Sequence, residues 1–215
     1  MEKNGELQAR WVKLWKRVGA QGDGGEMYRR LFIRYTEAHR AYHTLAHIQH
    51  CLREFDAARS LSIDPDTLEM ALWYHDAVYD PRAKDNEEAS VRLFLQMADY
   101  ARLSGDFRNT VSRLIMATAQ HRSAERGRDV DLLLDIDLSI LGQERKVFNE
   151  YERGIRKEYA FIPFAEFRAK RADILVGFLQ NLPIYRTDFF QDRYDARAIL
   201  NLQHSLGKLL SQPTQ

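Results

Sequence analysis

His75 and Asp76 stand side by side in Ala71-Leu72-Trp73-Tyr74-His75-Asp76-Ala77-Val78-Tyr79-Asp80, an otherwise apolar, helix-forming run. Neighbouring helix positions point about 100° apart, so a cation close to the helix surface can take one ligand from each. Ala71, Leu72 and Val78 draw the run into a core, where an imidazole and a carboxylate need a partner. That partner is either each other, through a hydrogen bond, or a metal ion. His43 and His47 follow the same logic in YHTLAH (42–47), with His50 within a further turn. If Thr44 caps a helix running to about Ser60, His43 and His47 share one side of it. The group is then a metal or acid–base cluster, or else a row of solvated helix histidines. Asp135 and Asp137 alternate with Leu134, Ile136 and Leu138, so at least one carboxylate faces inward and favours a cation partner.

Taken together, His47, His75, Asp76 and Asp137 offer two neutral imidazoles and two carboxylates. Such a nitrogen and oxygen set suits a divalent metal, Mn, Fe, Ni, Co, Zn or Mg, and ligand softness does not choose among them. A metal-bound water has a lowered pKa and becomes a hydroxide nucleophile near neutrality, while the cation polarises a phosphoryl oxygen.

The elements that must position these residues read as helices throughout. Leu7, Trp11, Leu14, Trp15 and Val18 fall at helical spacing, the glycine-rich stretch 19–25 breaks it, and Met27, Leu31 and Tyr35 resume it. Asp64-Pro65-Asp66 is a helix start, with Asp64 as cap and Pro65 at the first helical position, and that helix carries His75 and Asp76 until Pro81 stops it. Asp85 and Glu88 have capping-box spacing for the next helix, which leaves Asn86 and Glu87 open to a supporting or second-metal role. Phe107, Val111, Leu114, Ile115 and Thr118 continue the period towards His121, and an apolar helix spans 129–142. Three more helical patterns follow, broken at Pro163 and Pro183. No alternating β-branched run interrupts the series, so the expected fold is all-α.

A chain of 215 residues with 45% apolar and 29% charged residues is long enough for a proper core. Its 32 basic residues nearly balance 31 acidic ones, which argues against binding long nucleic acid. Cys51 stands alone, so no intrachain disulfide forms, and no apolar run reaches membrane-spanning length. These features read as a cytoplasmic protein that does not engage a membrane. Apolar helix faces leave a homodimer open.

The order His…His-Asp…Asp on a helical chain resembles the HD-domain superfamily of metal-dependent phosphohydrolases. The words YHTLAH (42–47), WYHDAVYD (73–80), NEEAS (86–90), LDIDLSILG (134–142), IRKEY (155–159) and Ile184-Tyr185-Arg186-Thr187 resemble, more closely, a bacterial family of predicted phosphohydrolases in that superfamily. The resemblance implies one HD-type helical bundle over 1–215, with N-terminal helices in 1–39, a metal-site core in 40–142 and C-terminal helices in 143–215. It implies His47, His75, Asp76 and Asp137 as metal ligands. YHTLAH is also similar to the segment of cyclic-nucleotide phosphodiesterases in which the first histidine protonates the leaving oxygen, which makes His43 the general acid. Small HD nucleotidases carry an acid just after the His-Asp pair. Asp80, on the same helical side as Asp76, is its counterpart here and a candidate base. HD oxygenases and dinuclear phosphodiesterases usually carry extra histidines before the last aspartate. His121 alone fills that interval, so one metal is expected, with a second available through Asp76, Asp80, Glu87 or His121. Arg40, Arg122, Arg156, Lys157 and Arg171 are candidates for substrate phosphate, Arg156 and Arg171 foremost.

The function expected is hydrolysis of a phosphoester or phosphoanhydride in a nucleotide or other small phosphorylated metabolite. An iron-dependent oxygenase on the same scaffold and a non-catalytic helical module with a structural metal are the alternatives.

Overall fold

The computed structural model describes residues 2–119 and 126–211, and every regular element among them is helical. The chain is all-α. In order, the elements are α1 (Glu2–Arg17), α2 (Gly24–Tyr35), α3 (Leu45–Ala58), a 3-10 turn (Arg59–Leu61), α4 (Pro65–Tyr74), α5 (Asn86–Tyr100), α6 (Gly105–Thr118) and α7 (Arg128–Leu138). A second 3-10 turn (Ser139–Gly142) leads into α8 (Arg145–Glu158), α9 (Phe164–Leu179), the short α10 (Asp188–Phe190), a π turn (Gln191–Asp195) and α11 (Ala196–Ser211). No helix among the described residues is long and apolar enough to cross a membrane. The residues gather into two compact units, Met1–Leu133 and Leu134–Gln215, and the division falls inside α7.

In the first unit the aromatic residues spaced along α1, α2 and α4 become the core. Trp11 and Trp73 are fully buried and meet edge-on at 5.5 Å, and the Trp11 indole N–H donates to the Gly24 carbonyl at 2.8 Å. Phe55, Leu68, Phe94, Leu114 and Ile115 extend this core across α3 to α6. Such burial is worth about 1.5–3 kcal/mol per large side chain. The expected caps form: the Thr44 hydroxyl accepts from Ala46 N at 3.3 Å, and Asp64 Oδ1 accepts from Thr67 N at 3.2 Å with Pro65 at the first turn of α4. The expected capping box at α5 does not. Asp85 occupies the N-cap position without a side-chain cap bond and turns to Arg92 at 3.1 Å, while Glu88 Oε2 is buried with no hydrogen-bond partner among the described residues.

One expected boundary moves. The helix bearing the His-Asp pair ends at Tyr74; His75 is its C-cap, still in helical conformation, and residues from Asp76 to Asp80 leave the helix before Pro81 is reached. That irregular stretch is tied to the start of α5. Ser90 Oγ accepts from Val78 N at 3.0 Å and donates to Val78 O at 3.3 Å, and the Asn86 amide bonds both Asp80 N and Asp80 O at 2.9 Å.

In the second unit Phe148, Leu175, Phe190, Ala198 and Leu202 form the core, with α11 packed on α9 and on the Ser139–Gly142 turn. Asp135 is buried and fully engaged: it accepts from Arg186 N at 2.7 Å, Thr187 N at 2.8 Å and Thr187 Oγ1 at 2.6 Å. The Tyr185 hydroxyl donates to Leu138 O at 3.2 Å, and a Cβ on Gly142 would lie 2.5 Å from Tyr194 Cβ, so only glycine fits there. The sequence words LDIDLSILG and Ile184–Thr187 are therefore packing partners.

Candidate metal centre

The first unit brings His43, His47, His75 and Asp76 together. His47 lies on the first turn of α3, one turn beyond the Thr44 cap, with its side chain 1% exposed. His75 closes α4 and is equally buried, and Asp76 follows with 19% of its side chain exposed. His47 Nε2 and His75 Nε2 are 3.1 Å apart, and Asp76 Oδ2 lies 3.3 Å from the first and 3.1 Å from the second.

These three contacts cannot all be hydrogen bonds between neutral rings and a carboxylate. His75 Nδ1 is 3.0 Å from Leu72 O, a bond that requires the ring to donate there and leaves Nε2 as a lone pair in the neutral tautomer. That lone pair faces another on Asp76 Oδ2. Only an added proton or a cation turns the approach into attraction. Ligand atoms about 2.1 Å from a shared metal sit roughly 3.0 Å apart in an octahedral arrangement and 3.4 Å apart in a tetrahedral one, so the observed triangle fits a metal of either geometry. The Leu72 carbonyl does what outer partners of metal-bound histidines do, fixing tautomer and ring orientation.

Asp76 responds to the same environment. Burial alone would raise its pKa, but with the imidazoles protonated, positive charge on His75 and His43 and hydrogen bonds from His47 and His75 hold it well below the usual carboxylate range.

His43 precedes the Thr44 cap and lies beside this group. Its ring centroid is 5.9 Å from that of His47 and 4.1 Å from that of Tyr79, with Tyr42 edge-on at 4.9 Å. His50 is buried elsewhere on α3 and does not join the ligand atoms.

Sequence reasoning missed Cys51. Its Sγ, with ligand atoms of His47 and His75, falls in a group whose members lie within 4.8 Å of one another. The sulfur is 3.7 Å from both His47 ring nitrogens, so it rests against the face of the ring and off the Nε2 lone pair. The available signal was its place four residues after His47, one turn along the same helix face.

Asp80, Asn86, Arg156 and Arg171 are engaged otherwise than expected. Asp80 is exposed and outside the helix, so it does not share a helical side with Asp76, and its Oδ1 accepts from Arg82 N at 2.9 Å. Asn86 spends its amide on the Asp80 backbone rather than facing a ligand. Glu87 is half-buried in the first turn of α5. His121 and Arg122 lie outside the described residues. Arg156 caps the end of α8 by donating to Tyr159 O at 2.7 Å and Ile162 O at 3.2 Å, with its guanidinium over the Phe167 ring, so it is not a free phosphate fork.

Arg171 is buried in an internal ion pair with Glu152 and donates to the Tyr151 hydroxyl at 2.8 Å. Burial would lower its pKa, but Tyr151 and Glu152 raise it further, so it stays charged. Asp137 lies half-buried on the last turn of α7 in the second unit. The Tyr151 phenol is raised by burial first, with Glu152 and Asp137 adding to that against the opposing Arg171.

No family model, curated protein or solved structure matches this chain.

Proposed function

We propose that this chain is a metal-dependent phosphohydrolase of the HD-domain type, cleaving a phosphoester or phosphoanhydride of a nucleotide or other small phosphorylated metabolite. The observation that carries the reading is the meeting of His47 Nε2, His75 Nε2 and Asp76 Oδ2 within 3.1–3.3 Å of one another, with His43 alongside. His47, His75 and Asp76 are the residues that hold the cation. Asp137 is a further ligand on the strength of the sequence reading. When bound, a divalent cation supplies Lewis acidity towards a phosphoryl oxygen and lowers the pKa of a coordinated water.

The chain's own residues do the rest. Asp76 is the most exposed member of the group, so substrate phosphate approaches from its side. His43, packed at a tilt against Tyr79 and edged by Tyr42, keeps one orientation and donates a proton to the leaving oxygen. The Leu72 carbonyl keeps His75 in the tautomer that presents Nε2.

A second reading has its own support: the low pKa direction of Asp76 also fits a buried imidazolium–carboxylate pair with no metal and no turnover. One experiment separates the two. Purified protein is assayed for phosphate release from nucleotides and sugar phosphates with Mn²⁺, Ni²⁺, Co²⁺ or Mg²⁺, beside His75→Ala and Asp76→Asn. Metal-dependent release that both substitutions abolish supports the hydrolase. Release that survives both, or oxygen consumption with no phosphate released, overturns it.

A further inference from the structure

Two irregular segments carry the candidate centre, the turn before α3 with His43 and the stretch after α4 with Asp76, and one side chain holds both. Arg40 has a side chain with 0% exposure. Its Nη1 donates to His43 O at 2.9 Å and to Asp76 O at 2.8 Å, its Nη2 donates to Ala77 O at 3.1 Å, and its Nε donates to Glu37 Oε2 at 3.0 Å. The guanidinium lies over the rings of Tyr35 at 5.1 Å and Tyr79 at 5.6 Å. Tyr79 in turn packs at a tilt against the His43 ring, with centroids 4.1 Å apart, and its carbonyl lies 2.7 Å from His39 Nε2.

From these contacts we infer that Arg40 is the positioning residue of the centre, setting the separation of His43 from Asp76 through their main-chain carbonyls. The inference rests on the metal reading above. A planar fork with five N–H donors in fixed directions can satisfy acceptors from two segments at once, and a lysine ammonium cannot reproduce that geometry. Arg40 is therefore not a phosphate ligand. It acts through backbone to place the Asp76 carboxylate against the two imidazoles, and through Tyr79 to keep the His43 ring in place. Outer-shell groups that orient metal ligands typically account for about ten- to a hundredfold in metal affinity.

Co²⁺ titration followed by visible absorption tests this, on the full chain and on Arg40→Lys and Arg40→Gln, with circular dichroism recording the fold. Arg59→Gln, which disturbs an ion-pair network elsewhere in the first unit, serves as the control for lost stability. The expected result is Co²⁺ affinity lowered about tenfold in Arg40→Lys and further in Arg40→Gln, with altered absorption bands, while Arg59→Gln keeps the affinity and spectrum of the parent. Folded Arg40 variants that bind Co²⁺ with the parent affinity and spectrum overturn the inference. So does failure of both Arg40 variants to fold, which assigns Arg40 to stability alone. A parent chain that binds no Co²⁺ removes the metal reading and this inference with it. A parent that binds Co²⁺ without releasing phosphate from any substrate removes only the hydrolase, and the Arg40 comparison still stands on metal affinity.

Discussion

Two polar groups of the first unit, one centred on Glu69 and one on His47, His75 and Asp76, are built on opposite plans. Around Glu69, whose side chain is 1% exposed, Arg10 approaches Oε1 at 2.7 Å while Arg17 and Arg59 approach Oε2 at 2.7 and 3.0 Å. Asp56 pairs with Arg10, and Asp66 with Arg17 and Arg59. Each cation there faces an anion, and every close contact has a proton between donor and acceptor. A cleft of about 410 Å³ lies over this network, but its charges are already matched. The His47–His75–Asp76 group has the reverse character, because ring nitrogens and a carboxylate oxygen converge on one another. A complete ion-pair network locks helices together; a set of facing lone pairs is what a cation site needs. Burial and charge alone would have nominated either group, and donor–acceptor complementarity separates them.

Substitutions at the two groups should therefore fail in different ways. The largest expected effect is His75→Ala, which should abolish both metal binding and phosphate release while the circular dichroism of the helices persists. Next, His43→Ala should lower turnover by on the order of 10² to 10⁴ with metal affinity nearly unchanged, since it donates a proton and binds no metal; unchanged turnover would remove it from the chemistry. Glu69→Ala should instead cost on the order of 2 kcal/mol of stability in urea titrations, because it removes the buried acceptor shared by three partly exposed guanidiniums that keep Asp56 and Asp66, and should leave Co²⁺ affinity intact.

Acid should also distinguish the groups in metal-free protein. Asp76 has a folded pKa well below its unfolded value of about 3.9, so its contribution is fully present above that value and is lost as pH falls through the folded pKa. Urea midpoints measured from pH 6 downward should fall below about pH 4, and Asp76→Asn should flatten that dependence. The smallest expected effect is Asn86→Ala, about 1 kcal/mol from the loss of its bonds to the Asp80 backbone, with turnover little changed.

Much of this was readable in the residues. Helical periodicity gave the all-α class, and the Thr44 and Asp64 caps were legible because capping is local chemistry. The proximity of His43 to His47 followed from their spacing. Other features depended on contacts between distant segments. Asn86 reads in NEEAS as open to a supporting or second-metal role and Ser90 carries no signal of its own, yet both anchor the stretch from Val78 to Asp80. Asp135 looked as eligible as Asp137 for a cation, but it is consumed by the backbone at Arg186 and Thr187. Arg40 looked like a phosphate ligand until its acceptors proved to be main-chain carbonyls. The end of α4 at Tyr74 was missed because Asp76, Ala77 and Val78 carry no helix-breaking signal; their groups are held by Arg40 and Ser90 instead.

The central claim is that His47, His75 and Asp76 share one divalent ion. X-ray absorption on Co²⁺-loaded protein addresses it most directly. The account predicts one retained ion per chain with a nitrogen and oxygen shell near ~2.1 Å and imidazole scattering beyond it. A preparation that retains no ion, or a sulfur at about 2.3 Å that puts Cys51 in the coordination shell, would contradict it.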